Sequence, residues 1–389
     1  MQSVLRTAFK FVIGLIVGSL GFELYLRCIE ATSLWRVLPV AEASLYGPSR
    51  EAGYTHRAGA GGVWITESRA KVAISALGLR DAPGRSEVKP AGALRFAVAG
   101  DSMVEALQVP LEQTFVALLQ AELRRRGHTG AEVINLGLAG ARPAVIVERL
   151  RLAAGRLRLD GAVVSVSAGD FLAGTEDDTS EFAGYVRRGP NERAVIAHAF
   201  RDSRGFALRT SAVGQGIYWA VDHVRLALVL NNRKNAGLAG DLVQPGVAPR
   251  AANVACGEAD LRPHEGLWLE RTKTFAHARL AAFLADLSAI SREHSIPLVL
   301  SLRNIGVDCP PLADRRKRLI DQMASRVQTA GLMFDDHEMA MEPHLAGRSR
   351  SSLQGFGARL GNGHLNADGH RVYANAMTDA ITEHLLPRR

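Results

Sequence analysis

Short, unbroken apolar runs alternate with longer stretches of helical period from Leu94 to the end of the chain, and this alternation predicts most of the fold. Leu94 to Ala99 reads as a buried strand, and Glu112 to Arg126 as an amphipathic helix with Phe115, Leu118, Leu119 and Leu123 on one face and Gly127 as its stop. Glu132 to Leu136 is the next strand. A helix then starts at Pro143, carries Ile146 and Leu150 inward and ends near Gly155, before a third strand at Ala162 to Ser167. Further on come a helix at Trp268 to His294, a strand at Pro297 to Leu302, and a helix at Asp314 to Ala330 stopped by Gly331. A fifth strand begins at Leu332 and closes at Asp335-Asp336, and Asn366 opens a last helix. Strands apolar throughout their length, alternating with helices, predict an α/β fold with a mainly parallel five-stranded sheet covered on both faces.

Two regions break the alternation. Phe11 to Phe22 runs without a charge, and the apolar stretch extends to Leu26 with Glu23 as its only acid, so residues 1–27 are expected to form a membrane anchor. Arg6 and Lys10 precede it and favour a cytoplasmic N-terminus, and an uncleaved anchor is preferred to a cleaved signal peptide. Residues 28–92 are rich in Gly, Ala, Pro and charge and read as a juxtamembrane arm, with one short extended stretch at Ala73 to Asp81. Residues 93–389 are then the main domain, interrupted at 172–263 by an insertion whose Ile217 to Leu230 looks helical. That insertion either caps a site at the strand ends or simply packs on the core.

Composition narrows the function. The 389 residues are 47% hydrophobic and 22% charged, which is ordinary for a globular protein. A formal charge of +8 comes from arginines scattered along the chain, and only 6% of residues are aromatic, so no nucleic-acid partner is expected. An acidic polysaccharide or an anionic membrane surface suits diffuse basicity better, although a bland arginine-rich composition explains it equally well. Of the three cysteines, Cys28 lies beside the apolar segment, while Cys256 and Cys309 either pair or stay free. His364 and His370 lack companions for a metal, Asp335-Asp336-His337 is too compressed for one, and Gly59 to Gly62 lacks the setting of a phosphate loop. No cofactor is expected.

The candidate chemistry lies at strand ends. Phe96 to Ala99 stops at Gly100-Asp101-Ser102, which puts a hydroxyl nucleophile at the carboxyl edge of the sheet. Gly363-His364-Leu365-Asn366-Ala367-Asp368-Gly369-His370 offers His364 as its base, and Asn135 to Gly140 follows the second strand with glycines that let backbone N–H groups approach an oxyanion. Asp101 and Asn135 read as turn-holding residues.

These blocks resemble the SGNH, or GDSL-type, hydrolase family, in particular its bacterial members with an N-terminal membrane anchor. The blocks are Gly100-Asp101-Ser102, Asn135 to Gly140, Ala168-Gly169-Asp170, and His364 with Gly369-His370. The resemblance implies a three-layer, flavodoxin-like α/β/α fold, Ser102 as nucleophile, His364 as base, and the N–H groups of Ser102 and Gly140 as oxyanion donors. It also exposes two departures. Gly169 stands at or beside the place of a donor asparagine, and Gly361 and Asn362 stand where an acid usually orients the histidine. Asn362, Asp335 and Asp336 are the candidates to orient His364, with Asp368 a further acid nearby. The expected function is hydrolysis of an acyl or acetyl ester by an inner-membrane protein whose domain lies outside the cytoplasm. The alternatives are transfer of the acyl group to a polysaccharide hydroxyl, and a degenerate domain that binds glycan or a protein partner without turnover.

Overall fold

The pleat of the central strands divides their apolar residues between two cores. A computed structural model describes residues 2–30, 45–49, 52–64, 67–167, 185–186, 195–196, 273–303, 313–356, 361 and 363–386. Helix α1 (Gln2–Glu30) comes first, and its Arg6–Tyr25 segment, with mean hydropathy 1.6 and no part buried, is long and apolar enough to cross a membrane. Two antiparallel hairpins follow, β1 (Tyr46–Ser49) with β2 (Gly53–His56), and β3 (Gly61–Trp64) with β4 (Ala70–Ala73). A small ladder of β8 (Tyr185–Val186) and β9 (Val195–Ile196) falls within the expected insertion. The helix predicted at Ile217 to Leu230, together with Cys256 and Cys309, lies outside the described residues.

The main sheet holds β5 (Leu94–Gly100), β6 (Ala131–Gly137), β7 (Gly161–Ser167), β10 (Leu298–Arg303) and β11 (Met333–Asp336) in the order β11-β10-β7-β5-β6. Every pairing in it is parallel. Phe96, Val98, Val163 and Val299 point to one side. There they meet Phe115, Leu119 and Leu123 of α3 (Phe115–Arg125) and Tyr373, Met377 and Ile381 of α8 (Ala367–His384). Ala97, Ala99, Val164 and Leu300 point to the other. That core is closed by Leu150 of α4 (Pro143–Leu157), Phe283 and Leu287 of α5 (Lys273–His294) and Met323 and Val327 of α6 (Ala313–Thr329). The predicted three layers are therefore present. Chain direction across the sheet reverses at β5, since β6 lies to one side of it and β7 to the other, and such a switch point opens a crevice at the strand ends.

Three boundaries differ from the sequence reading. The helix expected from Glu112 begins only at Phe115, because Thr114 caps it by accepting the Ala117 N–H, and Leu111–Gln113 forms a separate 3-10 turn. A short helix α7 (His337–Met341), capped by Asp336, follows β11 directly. The largest correction concerns residues 28–92, expected as a free arm. Leu45, Tyr46, Tyr54, Trp64, Val72, Ile74 and Leu79 are buried in the same core as α4 and α5. Arg80 is buried and donates to the Ala106 and Val109 carbonyls, while Arg95 binds Glu132 and the carbonyls of Ser86, Glu87 and Leu157. Composition concealed this, because strands of only four residues carry too few apolar positions to show a period.

Candidate active site

Ser102 opens a single-turn helix, α2 (Ser102–Glu105), whose cap is Asp101. One Asp101 oxygen accepts the Met103 N–H at 2.9 Å and the other meets the Arg303 guanidinium at 2.5 Å, so the Ser102 turn is tied to the end of β10. Gly100 is required by space, since a Cβ there would fall 2.9 Å from the Ser165 carbonyl and against the Val104 side chain. Asn135 holds the neighbouring strand end by donating to the Val104 carbonyl and accepting the Gly137 N–H, as expected of a turn-holding residue.

His364 arrives from the other end of the chain just after two left-handed glycines, Gly361 at φ 90° and Gly363 at φ 105°. The loop is pinned where the His364 carbonyl accepts the Gly355 N–H. Asn366 adds to this by donating to the Ser352 carbonyl while capping α8 through the Gly369 N–H. His364 Nε2 lies 2.9 Å from Ser102 Oγ. Serine and histidine, 262 residues apart in the chain, are therefore in hydrogen-bonding contact.

The acid comes from an unexpected place. Glu67, in the turn between β3 and β4, sets its carboxylate 2.8 Å and 3.0 Å from His364 Nδ1. Ser68 beside it donates to the Gln108 carbonyl, and the buried Trp64 and Ala70 anchor the two strands of the hairpin. Asp335 and Asp336 do not fill this place. Asp335 accepts the Ser301 hydroxyl and faces His337, while Asp336 caps α7, because β11 lies at the far edge of the sheet from β5. Asp368 pairs with Arg371 in the first turn of α8. Asn362 and Gly169 lie outside the described residues. The sequence did hold a weak signal for Glu67, a polar Thr66-Glu67-Ser68 between Val63-Trp64 and Ala70 to Ala73, which marks a hairpin turn. Nothing local links that turn to a histidine 297 residues away.

Electrostatics follow from this contact. Burial pushes the His364 imidazolium toward deprotonation, but the Glu67 hydrogen bond and charge, with smaller help from Asp101 and Glu105, leave its pKa above the ordinary 6.5. A carboxylate on Nδ1 keeps the proton there and turns the Nε2 lone pair toward Ser102. Gly140, at φ 69°, lies in the turn after β6. Among the described residues no group of three or more metal-ligating side chains gathers.

His370 differs from His364. It is buried, its Nδ1 accepts the Phe115 N–H, and burial with the nearby Arg80 charge lowers its pKa to about 3. His56 is likewise buried and lowered, whereas His364 is raised. A histidine held neutral in the fold costs stability as pH falls below its unfolded value, down to its folded one; a raised histidine does the reverse. By pH 4 the His370 contribution is on the order of 3 kcal/mol. Urea unfolding at pH 7 and pH 4 should therefore show a smaller acid loss in His370→Gln, whose amide oxygen still accepts from Phe115; an unchanged loss would refute this assignment.

No protein-family model matches the chain, and no curated protein matches it. Similar solved structures include one named TesA, at a TM-score of 0.38 and 14% identity over 75% of this chain and 99% of that one. A lipase/acylhydrolase from Enterococcus faecalis aligns at a TM-score of 0.36 and 14% identity, covering 76% and 99% of the two chains. The acetylxylan esterase Axe2 from Geobacillus stearothermophilus aligns at 0.37 and 13%, covering 78% and 100%. The five-stranded parallel sheet with helices on both faces is the three-layer α/β/α arrangement.

Proposed function

We propose that the protein hydrolyses an acyl or acetyl ester through a serine acyl-enzyme, with Ser102 as nucleophile, His364 as general base and acid, and Glu67 as the carboxylate that orients and charges against His364. The observation that carries this reading is the unbroken chain of contacts from Glu67 through His364 to Ser102, at 2.8 and 2.9 Å. Ser102 Oγ attacks the ester carbonyl while its proton passes to His364 Nε2, and the imidazolium that forms faces the Glu67 carboxylate. The N–H groups of Ser102 and Gly140 are assigned to the tetrahedral oxyanion. Collapse expels the alcohol, which takes the proton from His364. Water then attacks the acyl-enzyme with its proton passing to His364, and collapse breaks the Ser102 Oγ–acyl bond as His364 returns that proton to Oγ, releasing the acid. The apolar α1 supports a tethered protein whose domain acts outside the cytoplasmic membrane.

The degenerate reading rested on the lack of an acid beside His364 and on Gly169 in place of a donor asparagine; the Glu67 carboxylate at His364 Nδ1 supports turnover on the first count, and Gly169 lies outside the described residues. A fluorophosphonate probe tests the proposal. Wild type is expected to label at Ser102, with labelling abolished in Ser102→Ala. Equal labelling of both, or none in folded wild type, overturns it. Turnover of an acetyl ester with and without added polysaccharide then distinguishes water from a sugar hydroxyl as acceptor.

A further inference from the structure

Glu105 ends the same short turn that Ser102 begins, and its side chain is fully buried. One of its oxygens accepts the Ala139 N–H at 2.9 Å; the other accepts the Tyr46 hydroxyl at 2.7 Å and meets His56 Nε2 at 2.5 Å. The Ala139 carbonyl accepts the Tyr54 hydroxyl at 2.7 Å. Both backbone polar groups of Ala139, the residue just before Gly140, are therefore held by side chains, the N–H from the Ser102 turn and the C=O from the β1–β2 hairpin. Gly137 lets the strand end approach this closely, because a Cβ on it would run into the backbone of Val104 and Glu105.

Burying a carboxylate in this position needs a reason. Uncompensated, it is costly, and this one is surrounded by three donors and has the buried guanidinium groups of Arg80 and Arg149 nearby. An apolar residue would fill the space without any of that machinery. What an apolar residue cannot do is fix the direction of the Ala139 peptide relative to Ser102.

We infer that Glu105 and Tyr54 are positioning residues that clamp the Ala139–Gly140 turn, so that the Gly140 N–H is aimed at the oxyanion formed on Ser102. This inference rests on the proposed acyl-enzyme reading. A donor displaced by about an ångström loses on the order of tenfold to a hundredfold in rate, since its interaction is made in the transition state and not with the bound ester.

Tyr54→Phe removes one oxygen and leaves the ring, and Glu105→Gln removes the charge with little change in volume. With an activated acetyl ester, each variant is expected to lose roughly tenfold or more in kcat with KM nearly unchanged, following the same transition-state reasoning. Affinity for a boronic acid, which mimics the tetrahedral adduct, should fall in parallel. A purely structural role would instead lower the melting temperature and leave kcat and boronate affinity intact, and that result overturns the inference. If Glu105→Gln does not fold, Tyr54→Phe decides alone. Wild type and Ser102→Ala are run alongside. Equal turnover by those two refutes the acyl-enzyme reading itself, whereas Ser102-dependent turnover with unimpaired Tyr54→Phe refutes only the clamp.

Discussion

Glu67→Ala should lower kcat for ester hydrolysis by about 10⁴, comparable to the loss when the acid of a serine triad is changed to its amide, with little effect on KM. Two causes combine. Without the carboxylate at Nδ1 the imidazole is free to carry its proton on Nε2, which blocks proton transfer from Ser102, and the imidazolium formed during attack loses its counter-charge. Glu67→Gln is the amide change itself and should lose about as much, because its amide can donate to Nδ1 and hold the imidazole proton on Nε2. The pH profile gives an independent signature. His364 must be neutral to act as base, so kcat/KM rises with pH through its pKa, and in wild type that limb lies above 6.5 because Glu67 favours the charged form. Removing Glu67 leaves burial as the main influence, and the limb should move to lower pH. A Glu67→Ala enzyme within tenfold of wild type, with an unmoved limb, would show that another group orients His364.

Deleting residues 1–92 should abolish folding as well as activity, whereas deleting residues 1–30 should leave a folded, active domain. The larger deletion removes Leu45, Tyr46, Tyr54, Trp64, Val72, Ile74 and Leu79 from the core. At roughly 1.5–3 kcal/mol for each large buried side chain, their loss exceeds about 10 kcal/mol, comparable to the 5–15 kcal/mol that holds a typical domain together. It also leaves Glu105 without its Tyr46 and His56 partners and His364 without Glu67. Circular dichroism and turnover of the two truncations check this directly. A folded, active 93–389 fragment would contradict both the packing argument and the role of Glu67.

The truncations also locate where sequence reading succeeds and where it stops. The strand at Leu94 to Ala99 was legible because burial on both faces of a parallel sheet demands the unbroken apolar run from Phe96 to Ala99. Gly100-Asp101-Ser102 was legible because a strand end, a tight turn and a capping acid are local events, and the structure finds Asp101 capping as expected. His364 was named through the resemblance of its block to the SGNH hydrolases, and Asn366, which caps α8, marks the helix start just after it.

Glu67 could not be named in the same way. Its turn has no spacing relation to His364, and the hairpin that carries it has too few residues to display a pattern against a glycine- and charge-rich background. Asp335 and Asp336 looked better placed because they close a strand, yet being at a strand end does not say at which edge of the sheet the strand lies. The order β11-β10-β7-β5-β6 puts them at the opposite edge from β6, three strands from Ser102. Local pattern thus determined the sheet, its helices and the place of Ser102 at a strand end, since these depend on periodicity, capping and turn chemistry within a few residues. Only the tertiary structure decided the acid and the brace beneath the Gly140 turn, because both depend on an N-terminal segment folding back across the strand ends, and contacts between residues so far apart leave no local trace in the chain.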